Sequence, residues 1–152
     1  MPIYFFVIGI ILLDQISKFM IEHTMELGAS IPIIKGVFHL TYILNPGAAF
    51  GILENQRLFF ILIAVFMVLM VGYLYPRIPQ KFKVMRMGVA LLLSGAIGNL
   101  IDRIKTGLVV DFFDFRIWPI FNIADICIVL GVGMIIYAML CAEKKLKGEN
   151  NE

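Results

Sequence analysis

Four long apolar stretches constrain the fold of this chain more than any other feature of its sequence. They cover about residues 3–21, 58–75, 85–104 and 119–142. An α-helix needs roughly 20 mainly apolar residues to cross the hydrocarbon core of a bilayer. Of all residues, 61% are hydrophobic and 16% are charged, whereas a soluble domain is about 25% charged. The sequence therefore predicts an integral membrane, all-α protein, a four-transmembrane-helix bundle that forms one membrane domain (1–152).

The connecting segments differ in charge, and this difference predicts the orientation of the helices. Segments 76–86 and 143–152 together contain seven Lys and Arg residues, whereas loops 22–57 and 105–118 contain four. Short loops rich in Lys and Arg remain in the cytoplasm. We therefore expect both termini in the cytoplasm and the two less basic loops on the outer face.

The outer loops have strand-like composition. Residues 31–45 are rich in β-branched and aromatic side chains around Lys35-Gly36, which favours a hairpin, and residues 107–115 resemble a short strand. We expect a small extracytoplasmic β segment that lies on the bilayer surface.

Several classes of function are disfavoured. The basic residues are too few and too scattered for nucleic-acid binding. Cys127 and Cys141 are fourteen residues apart, about 21 Å along one helix, so they cannot form a disulfide, and we expect both to be buried. The sequence contains no phosphate loop and no HExxH, GxSxG or GxGD motif. His23 and His39 lack ligand-like spacing to other metal ligands, so we expect no metal and no cofactor.

Polar residues nevertheless recur inside the apolar stretches, where they are costly and usually functional. They form three pairs with helical spacing, each toward the outer end of its span: Asp14 and Lys18, Asn99 and Arg103, Asn122 and Asp125. Asp111 lies in the loop between spans three and four, fourteen residues before Asp125.

The first two pairs have simpler explanations. Asp14 and Lys18 could be a structural ion pair that neutralises itself. Asn99 could bond to a neighbouring helix, and Arg103 could extend to the lipid head groups.

Three carboxylates have simpler explanations too. We expect Asp102 to be an interfacial residue and Asp114 a solvated loop residue. A purely helix-terminal role for Asp125 is weak, because Pro119 suits the first turn of the fourth helix and would place Asp125 about 9 Å farther in.

Taken together, the polar residues indicate acid–base chemistry. Asp111 and Asp125 could meet in a pocket at the membrane edge. Two carboxylates at close range do not both ionise easily, so one retains its proton. One group can then take a proton from water while the other polarises a carbonyl group. This is the chemistry of an aspartic peptidase.

At these positions the sequence resembles the lipoprotein signal peptidases (signal peptidase II) of bacteria. Five stretches carry the resemblance: DQISK (14–18), NPGAAFG (45–51), SGAIGNLIDRI (94–104), VVDFFDF (109–115) and FNIAD (121–125). They fall in order and span most of the chain.

The resemblance implies a membrane aspartic endopeptidase that removes the signal peptide from prolipoproteins, just before a cysteine carrying diacylglycerol. It implies a monomer in the bacterial cytoplasmic membrane, in contact with membrane lipids, with its active site toward the outer face. The outer β segment would be a cradle, and loop 105–118 a lid. By resemblance Asp111 and Asp125 are the catalytic pair. The surrounding site residues would be Asp14, Lys18, Asn45, Asn99, Arg103 and Asn122.

The site raises two further expectations and leaves two alternatives open. The small residues Gly47, Ala48 and Ala49 could let the substrate chain lie close, and apolar faces of spans two to four could receive its acyl chains. One alternative is a proton-coupled transporter, because intramembrane charges also form ion relays. The other is a noncatalytic subunit whose polar residues only hold the bundle together.

Overall fold

The computed structural model describes residues 3–47 and 56–149, and this part of the chain contains four long helices. They are α1 (Ile3–Thr24), α2 (Arg57–Leu74), α3 (Lys83–Lys105) and α4 (Ile123–Glu149). Each is long and apolar enough to cross a membrane. The predicted four-helix membrane bundle is confirmed.

A three-stranded antiparallel sheet lies at one end of the bundle. Its strands are β1 (Ser30–Ile34), β2 (Phe38–Asn45) and β3 (Val109–Asp114), in the order β1-β2-β3. The expected hairpin turns at Gly36, which has a φ of 76°, a left-handed conformation that glycine adopts without steric cost. The expected strand is β3, which pairs with β2 so that Ile43 lies opposite Asp111.

The start of α4 differs from our expectation, because the helix begins at Ile123 rather than near Pro119. Phe121 continues the sheet: its N–H donates to the carbonyl of Phe113 at 3.1 Å, and its own carbonyl accepts from Phe113 at 2.8 Å. This pairing keeps the chain extended up to residue 122. Asp125 is consequently the third residue of the helix.

The sheet is attached to the bundle by an apolar cluster. Ile21 and Met25 from the end of α1 pack against Tyr42 of β2 and against Val110 and Phe112 of β3. The cluster places β3 beside the C-terminal end of α1. In the sequence, β3 lies between the end of α3 and the start of α4.

The two cysteines are free, as expected, but they differ in burial. Cys127 is buried, whereas Cys141 is exposed on α4. The expectation that both are buried was therefore wrong for Cys141, which lies on a surface of α4 that no other described helix covers.

Candidate active site

The two aspartates expected to work together, Asp111 of β3 and Asp125 of α4, line one cavity of about 350 Å³. Asp111 is 1% exposed. The cavity is also lined by Asn45, Gly47, Asn99, Arg103, Trp118 and Phe121. Asn99 and Arg103, which belong to α3 rather than to the sheet, thus line the same cavity as the two carboxyl groups.

Asn122 connects the two aspartates. Its Nδ2 donates to Oδ1 of Asp111 at 2.6 Å. Its Oδ1 accepts from the backbone N–H of Asp125 at 3.0 Å, and its own N–H donates to Oδ2 of Asp125 at 3.2 Å. This reciprocal pattern is a capping box at the start of α4. Asp125 therefore caps the start of α4. We had considered a helix-terminal role weak because we expected the helix to begin near Pro119. Asp125 also lines the cavity.

Asp111 is held from both sides by amides. Asn45 donates to its Oδ2 at 2.8 Å, opposite the bond from Asn122. Burial raises the pKa of Asp111 to about 7, with a further contribution from the negative charge of Asp125; the bonds from Asn45 and Asn122 and the charge of Lys18 oppose this rise. Asp111 consequently holds its proton to a much higher pH than an ordinary aspartic acid does.

Asn99 holds Asp125 in a defined orientation. Its Nδ2 donates to Oδ1 of Asp125 at 2.7 Å, and its Oδ1 accepts from Nζ of Lys18 at 3.0 Å. A lysine ammonium can only donate hydrogen bonds. Lys18 therefore fixes which end of the Asn99 amide faces it, and the donor end must face Asp125.

Lys18 is the centre of a buried ion triad. Its Nζ lies 2.9 Å from Oδ2 of Asp14 and 2.7 Å from Oδ2 of Asp102. Asp14 is fully buried, and its Oδ1 accepts from the backbone N–H of Ala124 at 2.9 Å. Asp14 and Lys18 are an ion pair, as expected, but the pair also bonds to α4 and to the Asn99 amide.

The expectation for Asp102 was wrong. It is 7% exposed and paired with Lys18 rather than interfacial, and Gln15 donates to its Oδ1 at 2.9 Å. The reason is that α1 covers this face of α3. Asp102 lies three residues after Asn99, so it shares a face of the helix with it, and this spacing is the sequence signal that could have identified it.

Arg103 reaches the turn that follows β2. Its Nη2 donates to the carbonyl of Gly47 at 3.0 Å, and its guanidinium lies 4.4 Å from the centre of the Phe60 ring. The Gly47 N–H in turn donates to Oδ1 of Asn45 at 2.9 Å. The expectation for Ala48 and Ala49 falls outside the described residues.

Asp114 is buried, contrary to the expectation of a solvated residue. It is 3% exposed and accepts from Thr41 Oγ1 at 2.8 Å, from the Arg116 N–H at 2.8 Å and from Arg116 Nη1 at 2.8 Å. Burial alone would raise its pKa, but the bonds from Thr41 and Arg116 outweigh burial and lower it. Asp114 thus anchors the start of the segment that carries Trp118 to the cavity. Thr41 comes from another strand, so its contact with Asp114 has no signal in the local sequence.

The arrangement of the two carboxyl groups suits acid–base hydrolysis. The described residues contain no group of three His, Cys, Asp or Glu side chains that could hold a metal ion. The carboxyl groups of Asp111 and Asp125 share a cavity large enough for water. Such a pair can act as acid and base on a bound carbonyl group.

Comparison with known proteins gives matches over most of the chain. The family model described as signal peptidase (SPase) II matches residues 6–141. The lipoprotein signal peptidase of Moorella thermoacetica is 43% identical over 140 residues, which is 92% of this chain and 93% of that protein. The one from Halothermothrix orenii is 46% identical, over 93% of this chain and 97% of that protein. A solved bacterial membrane enzyme superimposes with a TM-score of 0.89 at 36% identity, covering 94% of this chain and 90% of its own. The chain therefore belongs to the signal peptidase II family.

Proposed function

We propose that the chain removes the signal peptide from prolipoproteins by water that Asp111 and Asp125 activate, just before a cysteine carrying diacylglycerol. The observation that carries the proposal is that two carboxyl groups from different elements share one cavity and are joined through Asn122. The relatives that match most of the chain are lipoprotein signal peptidases, which supports this choice of substrate.

The environments of the two carboxyl groups assign their roles. Asp125 lies in the first turn of α4, where the positive end of the helix dipole favours an anion. Asp111 has a pKa of about 7 because it is buried. Asp125 is therefore the base that takes a proton from water, and Asp111 is the acid that donates a hydrogen bond to the carbonyl oxygen of the substrate.

The reaction then proceeds in two steps. Hydroxide derived from the water adds to the scissile carbonyl carbon as Asp125 takes its proton and Asp111 protonates the carbonyl oxygen. The tetrahedral intermediate collapses when Asp125 gives its proton to the leaving amine and Asp111 takes one back from the hydroxyl group. Both carboxyl groups return to their starting states, so no further reactant is needed.

The shape of the cavity is consistent with a lipid-anchored substrate. Ile128 and Val129 of α4 line its deeper wall, and Val129 is 69% exposed on the helix surface that faces lipid. The acyl chains would lie along this wall, while Arg103 and Asn45 bind the peptide backbone at the polar end. Gly47, which is buried against Arg103, would let the substrate chain approach closely.

The same proposal includes the setting of the enzyme. The chain is a multi-pass bacterial membrane protein, and we propose that it works as a monomer, as one membrane domain, in contact with membrane lipids. Both termini would lie in the cytoplasm, because the basic loop 76–86 favours that side. The cavity at the opposite end of the bundle would then face outward, where a lipid-anchored precursor presents its cleavage site.

The experiment uses purified protein in detergent and a diacylglyceryl-modified prolipoprotein, and it follows release of the signal peptide. Asp111→Asn and Asp125→Asn should each lower cleavage at least a thousandfold while the variants still unfold cooperatively. Glu22→Gln is the matched control. Glu22 is an exposed carboxylate near the C-terminal end of α1, the end that packs against the sheet, and the variant should cleave normally. Normal turnover by either Asn variant would refute the mechanism, and equal cleavage of the unmodified precursor would refute the substrate assignment.

A further inference from the structure

An apolar groove lies at the end of the bundle opposite the candidate active site. Its volume is about 460 Å³, within the range of roughly 300–1,000 Å³ typical of small-ligand sites. Its walls come from α2, the turn after it, α3 and α4, and they include Leu74, Ile78, Phe82, Met85, Val89 and Ile135. The groove shares no lining residue with the catalytic cavity. In α3, its lining residue nearest to Asn99 is Leu92, seven residues away and about 10 Å along the helix axis, so the two spaces are separate.

The occupant of this groove must be apolar. The groove is lined by membrane-spanning helices, α2 and α3 among them, and the hydrocarbon core contains no water to fill it. Its wall residues present almost exclusively carbon. An acyl chain of a lipid therefore matches the interior of the groove.

The segment that borders the groove, residues 76–86, has an excess of positive charge; we call it the rim. Segment 76–86 contains Arg77, Lys81, Lys83 and Arg86 and no acidic residue. Within the described part of the chain, the ion pairs form elsewhere, at Lys18 and at Arg116. Among the side chains that the structure describes, which extend to Cys141 in α4, none forms an ion pair with these four cations.

Two of these cations are held in place rather than extended at random. The Arg77 guanidinium lies 3.6 Å from the centre of the Tyr73 ring and donates to the Tyr73 carbonyl. The Arg86 guanidinium lies 4.3 Å from the Tyr75 ring, and its Nη1 donates to the carbonyl of Ile78 at 2.7 Å. A guanidinium has five N–H donors, so each retains donors for a phosphate, and holding the group in advance lowers the entropy cost of binding one.

From this combination we propose that the groove is a binding site for one anionic phospholipid, whose acyl chain fills the groove and whose head group binds Arg77 and Arg86. The net negative charge of the head group selects it over a zwitterionic lipid, because a choline ammonium would be placed beside the guanidinium groups of Arg77 and Arg86. Basic pockets between helices bind anionic head groups in this way. The groove and the basic rim act together, which distinguishes the site from diffuse attraction of a basic loop to the membrane surface.

The test is native mass spectrometry of the protein in a neutral detergent with an equal mixture of phosphatidylglycerol and phosphatidylcholine of identical acyl chains. The wild-type protein should retain one phosphatidylglycerol with at least about tenfold preference. The double variant Arg77→Gln/Arg86→Gln should lose the preference, while Lys35→Gln, a charge change in the hairpin at the other end, should keep it.

A groove-filling variant separates the site from diffuse attraction. Leu74→Trp keeps every charge but fills the groove, and it should abolish retention of the lipid; Leu69→Trp, on a lipid-facing part of α2 outside the groove, should not. All variants should still cleave prolipoprotein, which verifies their folding. The proposal would be overturned if the wild-type protein retained both lipids equally or if Leu74→Trp retained the lipid undiminished. It would also be overturned if the mass spectrum showed a dimer without bound lipid.

Discussion

At the scale of single residues, the orientation of Asp125 depends on a lysine that does not contact it. Lys18 donates to Asn99 at 3.0 Å, and Asn99 donates to Asp125 at 2.7 Å. Lys18 is itself held between the carboxylates of Asp14 and Asp102. The position of the proposed base is thus determined by a chain of buried polar contacts that crosses from α1 through α3 to α4.

The substitution Asp102→Asn tests this chain of contacts. It removes one of the two charges that hold Lys18, so Asn99 becomes less ordered and Asp125 loses part of its alignment. We expect kcat to fall about tenfold, which corresponds to about 1.4 kcal/mol, with little change in KM and a lower Tm. Steady-state kinetics against pH measure the effect.

A purely structural role for Asp102 predicts something different. The Tm would then fall while kcat per folded molecule and its pH profile stayed unchanged. Asp102→Glu, which keeps the charge, should restore part of kcat, and the exposed Glu22→Gln change should affect neither quantity.

The pKa of Asp111 predicts how stability depends on pH. The native group titrates at about 7, above its ordinary value of 3.8, so between these values the native state binds a proton that the unfolded state does not. The contribution of this group to stability therefore falls as pH rises from about 4 to about 7, by up to about 1.4 kcal/mol per pH unit. In a series of Tm measurements from pH 5 to pH 8, Asp111→Asn should show a smaller decline than the wild-type protein.

An equal decline in the two proteins would show that Asp111 does not hold a proton near neutrality. The assignment of Asp111 as the acid would then be wrong. The same assignment predicts that cleavage is lost as pH rises above the range in which Asp111 is protonated.

At the scale of the elements, the contact between α3 and α4 depends on glycines. A Cβ atom at Gly131 would lie 2.6 Å from the Gly88 carbonyl oxygen and 2.6 Å from the Leu92 nitrogen, both backbone atoms. Close approach of small residues is the usual way in which helices pack in a bilayer, where the hydrophobic effect does not drive association. Because Asn99 and Asp125 sit on these two helices, the spacing also sets the distance between their side chains.

Gly131→Ala should therefore force the two helices apart. We expect it to lower stability by about 1–3 kcal/mol, measured as Tm in detergent, and to reduce cleavage. Gly133→Ala is the matched control on the same helix, because a Cβ atom added there would meet no other atom within 4 Å. It should be neutral or slightly stabilising, since alanine favours helix; similar losses for both variants would contradict the packing argument.

At the scale of the whole molecule, the two ends of the bundle have different chemistry. One end holds the sheet and the buried carboxylates, and the other holds the basic loop 76–86 and the apolar groove. Because basic loops favour the cytoplasmic side and the cytoplasmic leaflet is anionic, we expect the basic end to face the cytoplasm.

This orientation can be measured with single cysteines in a background lacking Cys127 and Cys141. Lys35→Cys, in the hairpin, should react with a membrane-impermeant thiol reagent in spheroplasts or protoplasts, whose cytoplasmic membrane is intact and exposed. Lys81→Cys, in the basic loop, should react only after the membrane is opened. The reverse pattern would place the catalytic cavity in the cytoplasm and contradict the proposed access of the substrate.

Local patterns in the chain were enough to predict the four helices, the hairpin, the third strand and the family, because hydropathy, alternation and short motifs need no knowledge of distant residues. They also singled out Asp125, since a carboxylate inside an apolar span is costly unless it has a use. Asp111 was singled out by its short distance along the chain from Asp125 and by the family resemblance.

The partners of Lys18 and Asp114 and the start of α4 emerged only from the packed molecule. Lys18 and Asp102 are far apart in the chain, and their pairing depends on how α1 and α3 are rotated about their own axes, which spacing within one helix does not specify. The start of α4 was set by the pairing of Phe121 with Phe113, because hydrogen bonds to the sheet outweighed the helical preference of an apolar segment that begins at Pro119.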